Sequence, residues 1–360
     1  LVIEIAIVRP GPIQGDMVHP YLRRRAGKED ITYPSDKIRD VLTPTLGVPI
    51  FQEQVMRLSM VAAGFTGEEA DELRRAISNW GKNSKLLTFE GKFKNGLLAN
   101  GYTQEFADNL FEQVKGFGGY GFPESHSAGF AILCYASSWI KRHHPAAFYC
   151  ALLNSQPMGF YSSSQLIQDA RRHGVVVKPV NINRSACENS LEWGENGQRG
   201  IRLGFIAVRS LSQDAAQSIE KHRGTVPYTS IKDFARRTGL GDAVLECLAS
   251  ADAFREISGN RFQARWQAAA ITPHSELLQT AENEDDDLLM PAPTLEENVM
   301  DDYATVGLTL RQHLMHILRS ETPFDRCSRF ADLINLNHKG FVRIAGIVTG
   351  KQRPGSAHGV

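Results

Sequence analysis

The stretch from Gly116 to Phe130 constrains this chain most. Five glycines, three phenylalanines and a tyrosine surround Pro123-Glu124-Ser125-His126-Ser127, and an apolar segment follows. Gly116, Gly118, Gly119 and Gly121 permit backbone conformations and close approaches that a β-carbon forbids. Ser125 or Ser127 is placed to cap a helix running from Ala128 to about His143. A glycine turn ending on a capped helix start presents free N–H groups at a positive dipole end, a seat for phosphate or a polarised sugar. The same residues also read as a tight turn whose aromatic rings fill a core. Short glycine patterns alone do not separate the two.

At 360 residues the chain has room for two or three domains. With 42% hydrophobic and 22% charged residues it is globular, which excludes wholesale disorder. No apolar run reaches membrane-spanning length and no charged segment precedes an apolar one at the start, so no membrane partner and a cytoplasmic location are expected. Five cysteines without a CxxC pair argue against structural zinc and a disulfide framework. Acidic and basic residues number 40 each, but nine acids and no Lys or Arg lie between Glu282 and Asp302. Without those nine, 31 acids face 40 bases, and a basic body with an acidic linker suits a polyanionic partner. The first residue is Leu1 rather than Met, and the chain is read as a piece of something longer.

In chain order, Leu1–Val8 is apolar and β-branched and ends at Arg9-Pro10-Gly11-Pro12, which must turn or run extended. Arg23, Arg24, Arg25 and Lys28 form a basic cluster that, taken alone, reads as solvated surface. A helix opens at Phe51-Gln52-Glu53-Gln54 and reaches about Ala63, with Val55, Met56, Leu58 and Val61 at near-helical spacing. Thr66 and Glu69 make a capping box for a helix through Ile77 whose apolar stripe is Ala70, Leu73 and Ile77. Arg74 flanks that stripe and Arg75 points further round. A lysine-bearing loop (Lys82, Lys85, Lys92, Lys94) then tilts the reading towards an anion-binding face.

Thr103 caps a helix with Phe106, Leu110 and Val114 inward and Gly116 as its stop. The helix from Ala128 is apolar on most sides, hence expected at the centre of its domain. It ends in Lys141-Arg142-His143-His144, cations where the dipole favours them. Neighbouring histidines diverge by about 100° on a helix, so the pair is not read as a metal site. Pro145 starts a further helix, and Gln165–Gly174 another, capped by Ser164 and carrying Arg171, Arg172 and His173. Val175, Val176 and Val177 read as a buried strand.

Beyond Ile201 the pattern is helix, short turn, helix, twice: Leu203–Arg223, then Ser230–Ser250 with Gly239 and Gly241 in the turn. Such tandem units resemble helix-hairpin-helix modules, which grip a DNA phosphate with backbone N–H groups without reading sequence. Ser210 stands where the first turn of that motif usually has glycine. The alternative is an ordinary pair of helical hairpins. The acids from Glu282 onward, flanked by Pro291 and Pro293, read as a solvated linker rather than a magnesium site. Phe341–Val348 alternates like a strand entering a barrel.

Four motifs occur in order: Ile7-Val8-Arg9-Pro10-Gly11-Pro12-Ile13, Phe51-Gln52-Glu53-Gln54-Val55-Met56, Leu73-Arg74-Arg75-Ala76 and Tyr120–Ser127. Together they resemble the fingers domain of bacterial C-family DNA polymerases, the family of the replicative DNA polymerase III alpha subunit. Lys141–Ala147, Leu152–Tyr161, Gln168–Gly174 and Arg353-Pro354-Gly355 are similar to its error-prone branch. Ile77-Ser78-Asn79-Trp80-Gly81-Lys82 departs from the replicative members, which continue with a small residue and a lysine-rich turn.

The resemblance implies a mainly α chain: a helical fingers domain (1–194), tandem helix-hairpin-helix units (195–270), an acidic linker with connecting helices (271–338), and the truncated first strands of an OB-fold (339–360). It implies error-prone, translesion DNA synthesis on template-primer DNA with incoming dNTP, and possible encounters with a sliding clamp and other translesion proteins. The catalytic aspartates and their two Mg²⁺ ions belong to a palm lying N-terminal to these motifs. Arg74 and Arg75 are implied to grip the triphosphate, because guanidinium forks match phosphate oxygens. Lys82 and Lys85 assist, and Ser125 and His126 sit at the sugar. Arg9, Arg24, Lys141, Arg142, Gly239 and Gly241 are the DNA-contact candidates. The competing classes are a non-catalytic DNA-binding module and a partner-docking scaffold.

Overall fold

The computed structural model describes residues 1–8, 18–78, 85–116, 122–194, 197–271, 288–336, 338 and 340–348. The glycines at 118, 119 and 121, together with Arg9 and Lys82, lie outside the described residues, and of Lys85 only the backbone is described. Contacts divide the chain into two compact units, Leu1–Trp139 and Ile140–Val360.

The first unit is helical throughout. Its elements are α1 (Val2–Ile7), α2 (Val18–Arg25), α3 (Asp36–Leu42), α4 (Gln52–Val61), α5 (Gly67–Ser78), α6 (Lys85–Ala99) and α7 (Gln104–Gly116). α8 (Glu124–His143) runs on past the boundary. The opening β-branched residues form a helix, not a strand, burying Ala6 and Ile7. Thr66 and Glu69 close the expected capping box: Glu69 N–H donates to Thr66 Oγ1 at 3.3 Å and Thr66 N–H to Glu69 Oε2 at 3.0 Å. Thr103 caps α7 by accepting from Phe106 N–H at 3.2 Å. Leu58, Leu73, Phe93, Ala107 and Val114 are fully buried, and Phe93 meets Phe65 and Phe111 at ring distances of 6.0 and 5.8 Å. Gly96 makes this packing possible: a β-carbon there would stand 2.0 Å from the Ala63 carbonyl oxygen.

Four expectations change in this unit. Lys85, Lys92 and Lys94 belong to helix α6, not to a loop, because residues 85–99 offer a continuous helical repeat once started. Val61 is 38% exposed rather than buried, since α4 ends there. α8 starts at Glu124, ahead of both serines, so neither Ser125 nor Ser127 is its N-cap. And α8 is not a core helix: Ile132, Leu133 and Tyr135 are 62–71% exposed. Only Ser127 and Ala131 are buried among its residues, so apolar composition alone does not place a helix inside.

The second unit continues with α9 (Pro145–Asn154), started by Pro145 as expected, and α10 (Ser163–Arg172). The cap of α10 is Ser162, two residues before the expected Ser164, because Gln165 at the third helical position completes a capping box with it. A three-stranded sheet follows, in order β1-β3-β2, from β1 (Val177–Lys178), β2 (Ser190–Trp193) and β3 (Arg199–Arg202). β1 runs parallel and β2 antiparallel to β3. Of the valine run only Val177 joins a strand, and Val176 is exposed, because only two residues of β1 find partners.

The remaining helices are α11 (Gln213–Arg223), α12 (Ile231–Thr238), α13 (Asp242–Ser250), α14 (Arg255–Ser258), α15 (Arg261–Ala269), α16 (Leu295–Thr305) and α17 (Leu314–Leu318). Phe205, Ile219, Phe234, Leu248 and Phe254 form the buried centre, with Phe234 edge-on to Tyr228 and Phe254 at 5.0 and 5.2 Å. Residues 340–348 build no ladder; Ile344 makes an isolated bridge to Ser328, since alternation needs a neighbouring strand to become sheet.

The acids at the end of the expected linker are structural. Asp302 is buried and accepts from Arg261 Nη2 and Arg311 Nη1, each at 2.6 Å, while Arg311 Nη2 reaches Asp252 at 2.7 Å. Asp301 takes Arg265 at 3.1 Å. Solvation was expected from the run of like charges. Arginines on α15 and after α16 neutralise it instead, and a buried carboxylate needs that pairing.

Candidate nucleotide and nucleic-acid interface

In the first unit, the start of α8 is assembled from two segments far apart in sequence. Phe51 bridges Phe122, and Gln52 N–H donates to the Phe122 carbonyl at 3.1 Å. Glu53 Oε2 accepts from Glu124 N–H at 2.9 Å, so a carboxylate sits at the positive end of α8. Gln54 locks the entry to α4: its Oε1 accepts from Ile50 and Phe51 N–H at 2.9 and 3.1 Å, and its Nε2 donates to Thr45 Oγ1 at 2.8 Å. Ser127 is buried and donates to the Val2 carbonyl at 2.6 Å. Ser125 and His126 are exposed, and the His126 ring lies 5.1 Å from Phe122 and 4.6 Å from Phe130. The roles of Glu53 and Gln54 escape sequence reading. The only signal for them is that Phe51–Met56 forms one uninterrupted motif.

Arg74 and Arg75 share one carboxylate. Arg74 Nε and Nη2 both lie 2.8 Å from Asp71 Oδ1, and Arg75 Nη2 lies 2.6 Å from Oδ2. The Arg74 hydrogen bond, aided by the charge of both arginines, holds Asp71 below the usual carboxylate range. Arg75, 70% exposed, is the member open to a ligand. Two lysines of α6 are engaged in the fold: Lys92 pairs with Glu69, and Lys94 with Glu90 and Asp108 at 2.7 and 2.8 Å. Arg24 is also built in, donating to Glu29 at 2.8 Å and to the Leu46 carbonyl at 2.9 Å.

In the second unit, Lys141 donates to Asp169 at 3.0 Å and lies 5.5 Å from the Tyr149 ring centre. The Asp169 bond raises the Lys141 ammonium above its ordinary range. Arg142 is exposed and has no ion-pair partner among the described residues. Gly239 ends α12 in the left-handed region at φ +65°, and Gly241 is the N-cap of α13. Gly241, Asp242 and Ala243 are exposed residues, and their N–H groups have no acceptor among the described residues. N–H groups at a helix start are the geometry that a phosphate-holding turn requires.

The first hairpin differs. Its leading element is a single 3₁₀ turn, Phe205–Ala207, and Ser210 adopts φ +64° without being glycine. Its neighbour Arg209 is tied inward, its N–H donating to the Thr305 carbonyl at 2.8 Å and its Nη1 to the Tyr303 carbonyl at 3.1 Å.

Among the described residues no three His, Cys, Asp or Glu side chains gather to hold a metal ion. No helix among the described residues is long and apolar enough to cross a membrane.

Comparison with known proteins agrees with this geometry. Residues 1–101 match the bacterial DNA polymerase III alpha subunit finger domain, and residues 174–264 match a helix-hairpin-helix motif. The chain thus holds one stretch similar to that finger domain and one similar to a helix-hairpin-helix motif. Over its whole length it is similar to curated error-prone DNA polymerases. It is 59% identical to that of Saccharophagus degradans, 60% to that of Teredinibacter turnerae and 48% to that of Pseudomonas aeruginosa. The chain spans 35% of the length of each of these relatives.

Proposed function

We propose that this chain is the dNTP-positioning and DNA-gripping portion of an error-prone DNA-directed DNA polymerase, serving synthesis across damaged template. The observation that carries the reading is the Gly239–Ala243 turn: three exposed residues at a helix start whose N–H groups have no acceptor among the described residues, in a chain similar throughout to error-prone polymerases. In the intact enzyme a primer 3′-hydroxyl attacks the α-phosphorus of dNTP, a new phosphodiester bond forms, and pyrophosphate leaves. This portion contributes position and charge: Arg75 and Arg74 at the triphosphate, His126 beside the sugar, and the hairpin turn on the DNA backbone. Magnesium, the sliding clamp and the remaining translesion partners belong to the intact enzyme's own setting.

The test is duplex binding by the chain across a salt series. Affinity is expected to be indifferent to sequence and to fall steeply with salt, and Gly241→Val to weaken it. Duplex affinity unaltered by Gly241→Val would remove the hairpin from the reading. A plain DNA-binding module is separated by nucleotide: dNTP protects Arg75 from guanidinium-modifying reagents only if the finger surface holds a triphosphate.

A further inference from the structure

The second unit contains an open cleft of about 700 Å³ between α10 and the segment joining α16 to α17. Arg171, Arg172, Arg311, His313, His316 and Tyr303 are among the residues lining it, and among the described residues no Asp or Glu does. Such a lining is unusual in a chain with equal numbers of acids and bases. Arg171 and Arg172 are exposed at the end of α10, with no ion-pair partner among the described residues. The nearby carboxylate of that helix, Asp169, is taken by Lys141 and Tyr149. Arg311 is fixed from behind by Asp302 and Asp252. His313 caps α17, its Nδ1 accepting from Met315 N–H at 3.1 Å, which leaves Nε2 as the donor.

From this lining we infer that the cleft binds the phosphodiester backbone of single-stranded DNA, a contact separate from the hairpin turns. An open trough with unpaired guanidiniums on one wall suits a strand passing through better than a small nucleotide enclosed on all sides. Tyr303 adds an aromatic face on which a base can stack. The inference rests on the proposed DNA-binding role of the chain.

The test is fluorescence anisotropy of a labelled oligothymidylate with the 360-residue chain at several salt concentrations. Arg171→Ala/Arg172→Ala is expected to weaken binding about tenfold, and to reduce the salt slope by about 1.4, two contacts at roughly 0.7 each. Arg171→Lys/Arg172→Lys is expected to keep the slope. His316→Glu, on an exposed side chain, is a second variant expected to weaken binding several-fold if the arginine pair disturbs folding. Unchanged affinity and slope in these variants, while the parent chain binds, overturns the cleft and leaves the hairpin reading intact. A parent chain that binds neither single strand nor duplex sinks both. Arginine-dependent binding of free dTTP or pyrophosphate, with oligothymidylate unaffected, overturns the strand in favour of a nucleotide.

Discussion

The Glu53 carboxylate accepts a hydrogen bond from the Glu124 backbone N–H at 2.9 Å, across 71 positions of sequence. An internal anion thus occupies the positive end of α8, beside the exposed His126. Glu53→Ala is expected to lower the stability of the chain by about 1 kcal/mol, the usual worth of a helix cap. Urea denaturation checks it, and an unchanged midpoint would show that water caps α8 equally well.

Asp71 already holds Arg74 and Arg75, so a triphosphate must compete for them. In the intact polymerase, Arg75→Ala is expected to raise the KM for dNTP about tenfold with a smaller change in kcat. Asp71→Asn, which removes the carboxylate that both guanidiniums share, is expected to lower that KM. Steady-state incorporation decides: a pure kcat effect from Arg75→Ala would place it away from ground-state nucleotide.

His126 stands between two phenylalanine rings at a solvent-exposed helix start. A ring held in that way can exclude a 2′-hydroxyl by bulk. His126→Ala in the intact polymerase is expected to relax discrimination against ribonucleotides more than it lowers the overall rate. Competition between ribonucleotide and deoxynucleotide measures this; a general loss with discrimination intact makes the ring structural.

Glu192 of β2 carries the clearest pH dependence. Its partial burial opposes ionisation, but hydrogen bonds from Arg202 at 2.8 Å and Lys178 at 3.1 Å prevail and lower it from 4.5 to about 2. A folded-state value below the unfolded one means stabilisation that is complete above pH 4.5 and lost as pH falls towards 2. The contribution at neutral pH is on the order of 2 kcal/mol. Glu192→Gln is expected to lose it at pH 7 and to flatten the stability profile between pH 4.5 and 2. Thermal melts across that range give the answer.

Arg261 is fully buried, and it meets Asp302 Oδ1 at 2.6 Å and the Asn298 carbonyl at 3.0 Å. Removing one partner strands the other in a poorly solvated site. Arg261→Ala is therefore expected to cost about 3–5 kcal/mol, read by chemical denaturation. A loss below 1 kcal/mol would mean that water or Arg265 takes its place.

Features fixed by a few adjacent residues were legible in the sequence: the Thr66–Glu69 capping box, the Thr103 cap, the helix start at Pro145, and glycines 239 and 241 at a turn. Features fixed by distant contacts were not. Nothing local to Glu53 says that its carboxylate ends on residue 124, and nothing near Asp302 says that Arg261 and Arg311 will bury it. The exposure of α8 was misread for a related reason, because hydrophobicity reports what a helix could bury but not what covers it. Of the site, residue types and order were readable. That Arg74 and Arg75 share Asp71, and that Lys92 and Lys94 are committed to acids of the fold, required the structure.

The tie between Arg209 and the end of α16 decides where an autonomous hairpin fragment can be cut. The helix-hairpin-helix match ends at residue 264, but the first turn fastens itself to the carbonyls of Tyr303 and Thr305. Gly307 lies so close that a β-carbon there would stand 2.7 Å from the Arg209 guanidinium. A fragment trimmed to the match would take those carbonyls from that arginine and free the first turn, changing the surface it was cut out to display. Boundaries drawn beyond residue 311 keep both the fastening and the Arg311 bridge, so the recombinant unit is larger than the motif.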